Sequence, residues 1–225
     1  MNGRPGTGRL VAWCCVVGVI AALQFTARVE HMKPAKSAFY SLGNAAANGA
    51  FYVFLFMVVL LLAMGLPKRP IFALRRPDSW RRAAYRCSFV LVALVVLSWI
   101  VGLFANPTKE QGIVPTYWDR HRVVGFAANL VVVALVAPLV EELLFRGLGF
   151  SLLERFGRRQ AVVLVGFAFG LWHGLLVGLP LLIAFGTGLA WVRARTGSVY
   201  PGMVLHGLFN AAAVIFSVLS SSSGR

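Results

Sequence analysis

The stretch VVGFAANLVVVALVAPLVEELLFR, residues 123–146, carries the reading of the whole chain. From Asn129 to Val140 it is almost wholly apolar. It then sets two carboxylates side by side, Glu141 and Glu142, with a guanidinium at Arg146. A membrane-spanning helix needs about 20 predominantly apolar residues, which places a span over 123–144. Ionisable side chains are costly in hydrocarbon and therefore rare, so paired glutamates closing such a run form a candidate site. On a helix Glu142 and Arg146 are i and i+4 and share a face. Glu141 is turned away by about 100°. One carboxylate is then held by a cation while the other is left for chemistry. An interfacial charge cluster with Arg146 snorkelling to the headgroups is the rival reading of the same residues.

Outward from this stretch, further apolar runs cover 10–27, 46–66, 84–104, 160–178, 180–195 and 199–219. The expected fold is all-α, a polytopic transmembrane helical bundle of about seven spans. The run at 180–195 is short, and Gly178-Leu179-Pro180 fits either a tight turn or one broken helix. Composition agrees with membrane insertion: 59% of the 225 residues are hydrophobic and 13% charged, against about 45–50% and 25% in soluble domains. No loop is long enough for a soluble domain. Arg4 and Arg9 ahead of the run from Leu10 fit a signal peptide or a first helix. The run reaches Ala27, longer than an h-region of about 7–15 residues, so an uncleaved helix is expected.

The formal net charge is +15, with 22 Lys and Arg against 7 Asp and Glu. The basic residues fall in short loops between apolar runs rather than in a compact basic domain, which argues against nucleic acid as a partner and for topology and anionic headgroups. With seven spans, one side collects Arg4, Arg9, the basic residues from Lys68 to Arg86, Arg146, the arginines from 155 to 159, and Arg193 with Arg195. That richer side is read as cytoplasmic. The N-terminus is then inside, in a multi-pass protein of the plasma (inner) membrane. Within the loop from Pro67 to Arg86, Ile71, Phe72, Leu74 and Trp80 interleave with arginines, as in a segment lying on headgroups. Asp78 or Ser79 is the expected N-cap of the next helix. Cys14, Cys15 and Cys87 have no CxxC spacing and read as buried small apolar residues.

Two of the four histidines also lie within apolar spans. His173 follows FAFGLW on a Gly-rich helix, with Phe169 four residues before it on the same face. His206 and Asn210 are i and i+4, so an imidazole and a carboxamide share a helix face and can donate to one developing oxyanion. Each element has a structural rival, a packing histidine or an interhelical polar clamp. Together they supply a base, a second polar pair and donors on three helices, the set needed for water-driven acyl hydrolysis. Neither GxSxG nor HExxH occurs in the chain.

The ordered motifs EExxxR (Glu141, Glu142, Arg146), FxxxH (Phe169, His173) and HxxxN (His206, Asn210) resemble the CPBP family. This family includes type II CAAX prenyl endopeptidases and bacteriocin-processing enzymes, also called Abi proteins. Phe145-Arg146-Gly147, Phe169-Gly170-Leu171-Trp172-His173 and the Gly-Ser-Val-Tyr-Pro approach to His206 support it. The resemblance covers roughly 125–215. It implies a helical membrane fold with a polar cavity opening to one side, and it implies an intramembrane endopeptidase. Glu141 with His173 would activate water, His206 and Asn210 would stabilise the oxyanion, and Glu142 with Arg146 would support the site. It leaves metal dependence open. The expectation is no cofactor, and the alternative is zinc on Glu141, His173 and His206. The implied partners are a membrane-anchored protein or peptide substrate and the lipid bilayer. The chain then divides into N-terminal transmembrane helices with the basic interfacial loop (1–120), a catalytic transmembrane core (121–219) and a disordered tail (220–225). A non-catalytic binding or immunity protein on the same fold is the first rival, and a small transporter the second.

Overall fold

The computed structural model describes residues 6–29, 37–105, 115 and 117–222, and the described residues form helices and their connections. Seven helices matter here: α1 (Thr7–Val29), α2 (Leu42–Leu62), α3 (Trp80–Gly102), α4 (Val123–Phe156), α5 (Arg158–Trp172), α6 (Leu179–Thr196) and α7 (Tyr200–Ser222). Residues 223–225 of the expected tail lie outside the described residues. Ser79 caps α3, its hydroxyl accepting from the Arg82 amide at 3.3 Å.

Five of these helices, α1, α2, α3, α4 and α7, are long and apolar enough to cross a membrane. The run expected over 160–178 becomes the shorter α5, of 15 residues, and that over 180–195 becomes α6, of 18 residues. The cause is local. Gly174 takes the left-handed conformation at φ 61°, which ends a helix readily. Pro180 sits in the first turn of α6, where its missing N–H costs no helical bond. The turn between these two helices, which pack together as a hairpin, is therefore 173–178, and Leu179-Pro180 opens α6.

The central element is α4, a 34-residue helical run that does not stop at residue 144. Val132–Val136 and Leu143–Gly149 are π-helical turns within it. Every residue from Val140 to Phe150 is buried. Glu141 and Glu142 thus lie mid-helix, about 27 Å from its start and about 21 Å from its end at 1.5 Å per residue. Because α5 runs back antiparallel from the end of α4, His173 comes about 22 Å back along the bundle, level with the glutamates. Around this pillar Phe145 meets Phe169 and Trp172 edge-on, both at 5.4 Å. The Trp13 indole of α1 donates to the Leu144 carbonyl at 3.0 Å.

On α1 the face at Trp13, Val17 and Ala21 packs inward. Cys14 and Cys15, expected to be buried, are instead exposed, and Cys87 is half-buried. An α-helix repeats every 3.6 residues, so the positions just after Trp13 turn outward.

Candidate active site

The six side chains singled out from the sequence come from α4, the end of α5 and α7. Glu141, Glu142, Arg146 and His206 form one buried cluster in which both the Glu142 and Arg146 side chains are 0% exposed. Arg146 donates from one terminal nitrogen to Glu142 Oε1 at 2.7 Å. Its other terminal nitrogen reaches the Gly186 carbonyl of α6 at 3.0 Å. The guanidinium also stacks over the Phe169 ring at 4.3 Å, a contact worth about 2 kcal/mol when desolvated. Burial of the pair is thus offset by a bidentate set of partners rather than by snorkelling.

His206 stands between the two carboxylates. Its Nδ1 lies 3.2 Å from Glu142 Oε1 and its Nε2 3.8 Å from Glu141 Oε2. Phe169 and Phe185 meet the imidazole edge-on at 5.5 and 5.3 Å, which fixes the ring plane. Glu141 points away from Arg146, as the helix rotation requires, and accepts from the Tyr52 hydroxyl of α2 at 2.7 Å.

His173 lies just past α5. Its Nδ1 is 2.8 Å from the Phe169 carbonyl and its ring packs 4.7 Å from the Phe169 ring. A carbonyl only accepts, so Nδ1 carries the proton and Nε2 is the free end. Glu141, His206 and Arg146 all act electrostatically on this ring. His173 and His206 thus share Phe169 as a common wall.

Asn210 is engaged differently. Its amide donates to the Val133 carbonyl of α4 at 3.0 Å. That carbonyl lies in the first π turn, where the Ala137 amide bonds to Val132. The next donor in that register is residue 138, which is proline and has no N–H. Asn210 therefore satisfies an acceptor that Pro138 leaves open. One amide proton is used and the second remains.

Two groups went unread in the sequence. Tyr52 is the first, and Asn129 the second. Asn129 is 2% exposed, donates to the carbonyls of Ser41 and Gly125 and accepts from Asn44. Asn44, Asn48 and Tyr52 recur every fourth residue along the apolar α2, a polar stripe on one helix face. That spacing was the available signal.

The alternative of zinc would draw on Glu141, His173 and His206. Among the described residues no three His, Cys, Asp or Glu side chains are grouped so as to hold a metal ion. The closer carboxylate to His206 is Glu142, which is already committed to Arg146.

Residues 123–212 match the family model Type II CAAX prenyl endopeptidase Rce1-like. The match takes in less than half of the chain, and all six side chains fall inside the matched segment. With its apolar helices the chain is an integral membrane protein. Neither a curated protein nor a solved structure matches the chain.

Proposed function

We propose that the protein is an intramembrane endopeptidase that hydrolyses a peptide bond in a membrane-anchored protein or peptide, in the manner of the CAAX proteases. The observation that carries this reading is the cluster of Glu141, Glu142, Arg146 and His206. It is a fully buried, fully interconnected set of ionisable groups inside an apolar bundle, and such groups in a membrane mark function. The substrate is a short protein or peptide rather than a prenylated one, and residues 121–219 form the catalytic core.

In this mechanism Glu141 takes a proton from water as the oxygen attacks the scissile carbonyl carbon. His173 Nε2, free because Nδ1 is tied to Phe169, holds the water in line. With His206 in its imidazolium form between the two carboxylates, both ring nitrogens donate, and the tetrahedral oxyanion receives hydrogen bonds from its Nε2–H and from the second amide proton of Asn210. The carbon–nitrogen bond then breaks, and Glu141 returns its proton to the leaving amine. Glu142 and Arg146 touch no substrate. Arg146 fixes Glu142, and Glu142 accepts from His206 Nδ1, which sets the ring orientation. All these steps use the chain's own side chains.

The test compares the termini of membrane proteins and peptides in cells carrying the native chain or Glu141→Gln. New termini seen only with the native chain support the protease and name its substrate. Identical profiles, with both proteins folded and inserted, would overturn it and leave a binding or immunity protein.

A further inference from the structure

A polar cavity opens about 20 Å from the glutamates, at the end of the bundle where α4 gives way to α5. Its volume is about 440 Å³, within the usual range for small-ligand sites, about 300–1,000 Å³. Three elements supply its arginines. Arg69 and Arg75 come from the loop after α2, Arg158 from the start of α5, and Arg193 and Arg195 from the last turn of α6. Asp78 and Glu154 also line it. Glu154 is paired with Arg158 at 3.1 Å, the only ion pair in the cavity among the described residues. Five guanidiniums facing two carboxylates leave the cavity strongly positive.

The cavity is constructed rather than a chance patch of surface charge. The Arg75 side chain donates to the Gly197 carbonyl at 2.8 Å. Gly197 closes α6 at φ 62°, and any side chain at 197 would overlap the Arg75 guanidinium. The loop backbone is tied down by the Val199 amide on the Ala73 carbonyl at 3.2 Å. Ala73 itself holds a positive φ of 52°, a strained setting for a residue with a Cβ. Arg193 is half-buried, with its guanidinium 5.0 Å over the Phe150 ring. Its Nε is buried without a hydrogen-bond partner, a donor that a bound anion would satisfy. Trp80 and Phe156, at the same end of the bundle, are 51% and 54% exposed. Exposed aromatic rings there match the headgroup level of a bilayer.

We propose that this cavity seats the phosphate of one anionic phospholipid headgroup. Guanidiniums bind phosphate oxygens in bidentate fashion and are weakly hydrated, which suits them to this task. The bound headgroup joins the loop after α2 to α5 and α6. Helix α6 also carries the Gly186 carbonyl that holds Arg146, seven residues and about 10 Å before Arg193. The lipid thus steadies the helix against which the buried ion pair leans.

The test uses the full chain in neutral detergent, followed by native mass spectrometry. It is titrated with phosphatidylglycerol, with phosphatidylcholine and with inorganic phosphate. One phosphatidylglycerol is expected to stay bound, with phosphatidylcholine at least about tenfold weaker. Arg69→Gln/Arg195→Gln removes two exposed arginines of the cavity and is expected to weaken binding roughly thirtyfold. Arg81→Gln/Arg82→Gln removes the same charge from the same basic region outside the cavity and is expected to leave binding nearly unchanged. Arg193→Gln gives a second, single-site variant with an expected loss of about fivefold. Equal loss in both double variants would overturn the site in favour of diffuse surface attraction. Equal retention of the two lipids, or displacement by inorganic phosphate, would overturn a lipid headgroup as the occupant.

Discussion

The Tyr52 hydroxyl on α2 donates to Glu141 Oε1 across 2.7 Å, tying the proposed base to a helix outside the matched segment. A hydrogen bond to a carboxylate contributes about 1.5–3 kcal/mol, and this one also fixes the carboxylate's orientation. Tyr52→Phe is expected to lower kcat about tenfold or more with little change in KM, measured as product formation by matched amounts of detergent-solubilised enzyme. An unchanged kcat would remove Tyr52 from the positioning of Glu141.

The Glu142–Arg146 pair is 0% exposed on both sides. Removing one partner leaves a buried charge alone, at a cost of about 3–5 kcal/mol. Arg146→Gln and Glu142→Gln are each expected to lower the Tm markedly in thermal unfolding. Arg146→Lys is expected to recover little, because a single ammonium cannot match the fork that spans Glu142 and the Gly186 carbonyl. Full rescue by lysine would show that charge alone matters.

Asn210 has two tasks that mutation can separate. Asn210→Ala strands the Val133 carbonyl, so a stability loss of about 1–3 kcal/mol should accompany the loss of activity. Adding Pro138→Ala restores a backbone donor in the π turn. The double variant is expected to regain stability while staying slow. Recovery of both together would make Asn210 a brace only.

Gly202 faces the free oxygen of Glu142. A Cβ there would lie 2.6 Å from Glu142 Oε2, and that carboxylate is pinned by Arg146 and His206 and has nowhere to move. Gly202→Ala is expected to cut activity at least about tenfold through His206 misalignment, with helical content by circular dichroism unchanged. Native activity would mean that the carboxylate yields.

A reaction run by Glu141 and His173 alone should survive chelation. Dialysis against a strong zinc chelator, followed by assay without added metal, is expected to leave the rate within about twofold. Loss on dialysis with recovery on adding zinc would reassign the two histidines as ligands.

The sequence carried the all-helical membrane fold because apolar length alone signals it. The EExxxR spacing foretold the ion pair for the same reason that any i, i+4 pair is visible. Span ends were less legible. Hydropathy alone stops at the charges near residue 144; the need to bring Glu141 to the depth of His173 is what points to a longer helix, and α4 does continue past Arg146 to Phe156, with Glu142 and Arg146 paired inside the bundle. The broken pair α5 and α6 turned on one residue, Gly174, whose conformation only the fold reveals. Tyr52 was missed because tyrosine on an apolar helix is usually packing, and its partner is 89 residues away in sequence. Cys14 and Cys15 were misjudged because an evenly apolar helix gives no clue to which face is covered.

The two π turns in α4 make that helix act as a vernier. Each holds one residue more than an α turn would, so each advances everything beyond it by about 100°. The faces of α4 therefore cannot be drawn on one helical wheel. Glu141 and Glu142 sit on the short α segment between the two slips, an indexed position that neither flank shares. A single deletion within either π turn would change no charge and no hydropathy. It would nonetheless dial the glutamates away from His206 or Arg146. In this helix the count of residues, as much as their identity, specifies the site.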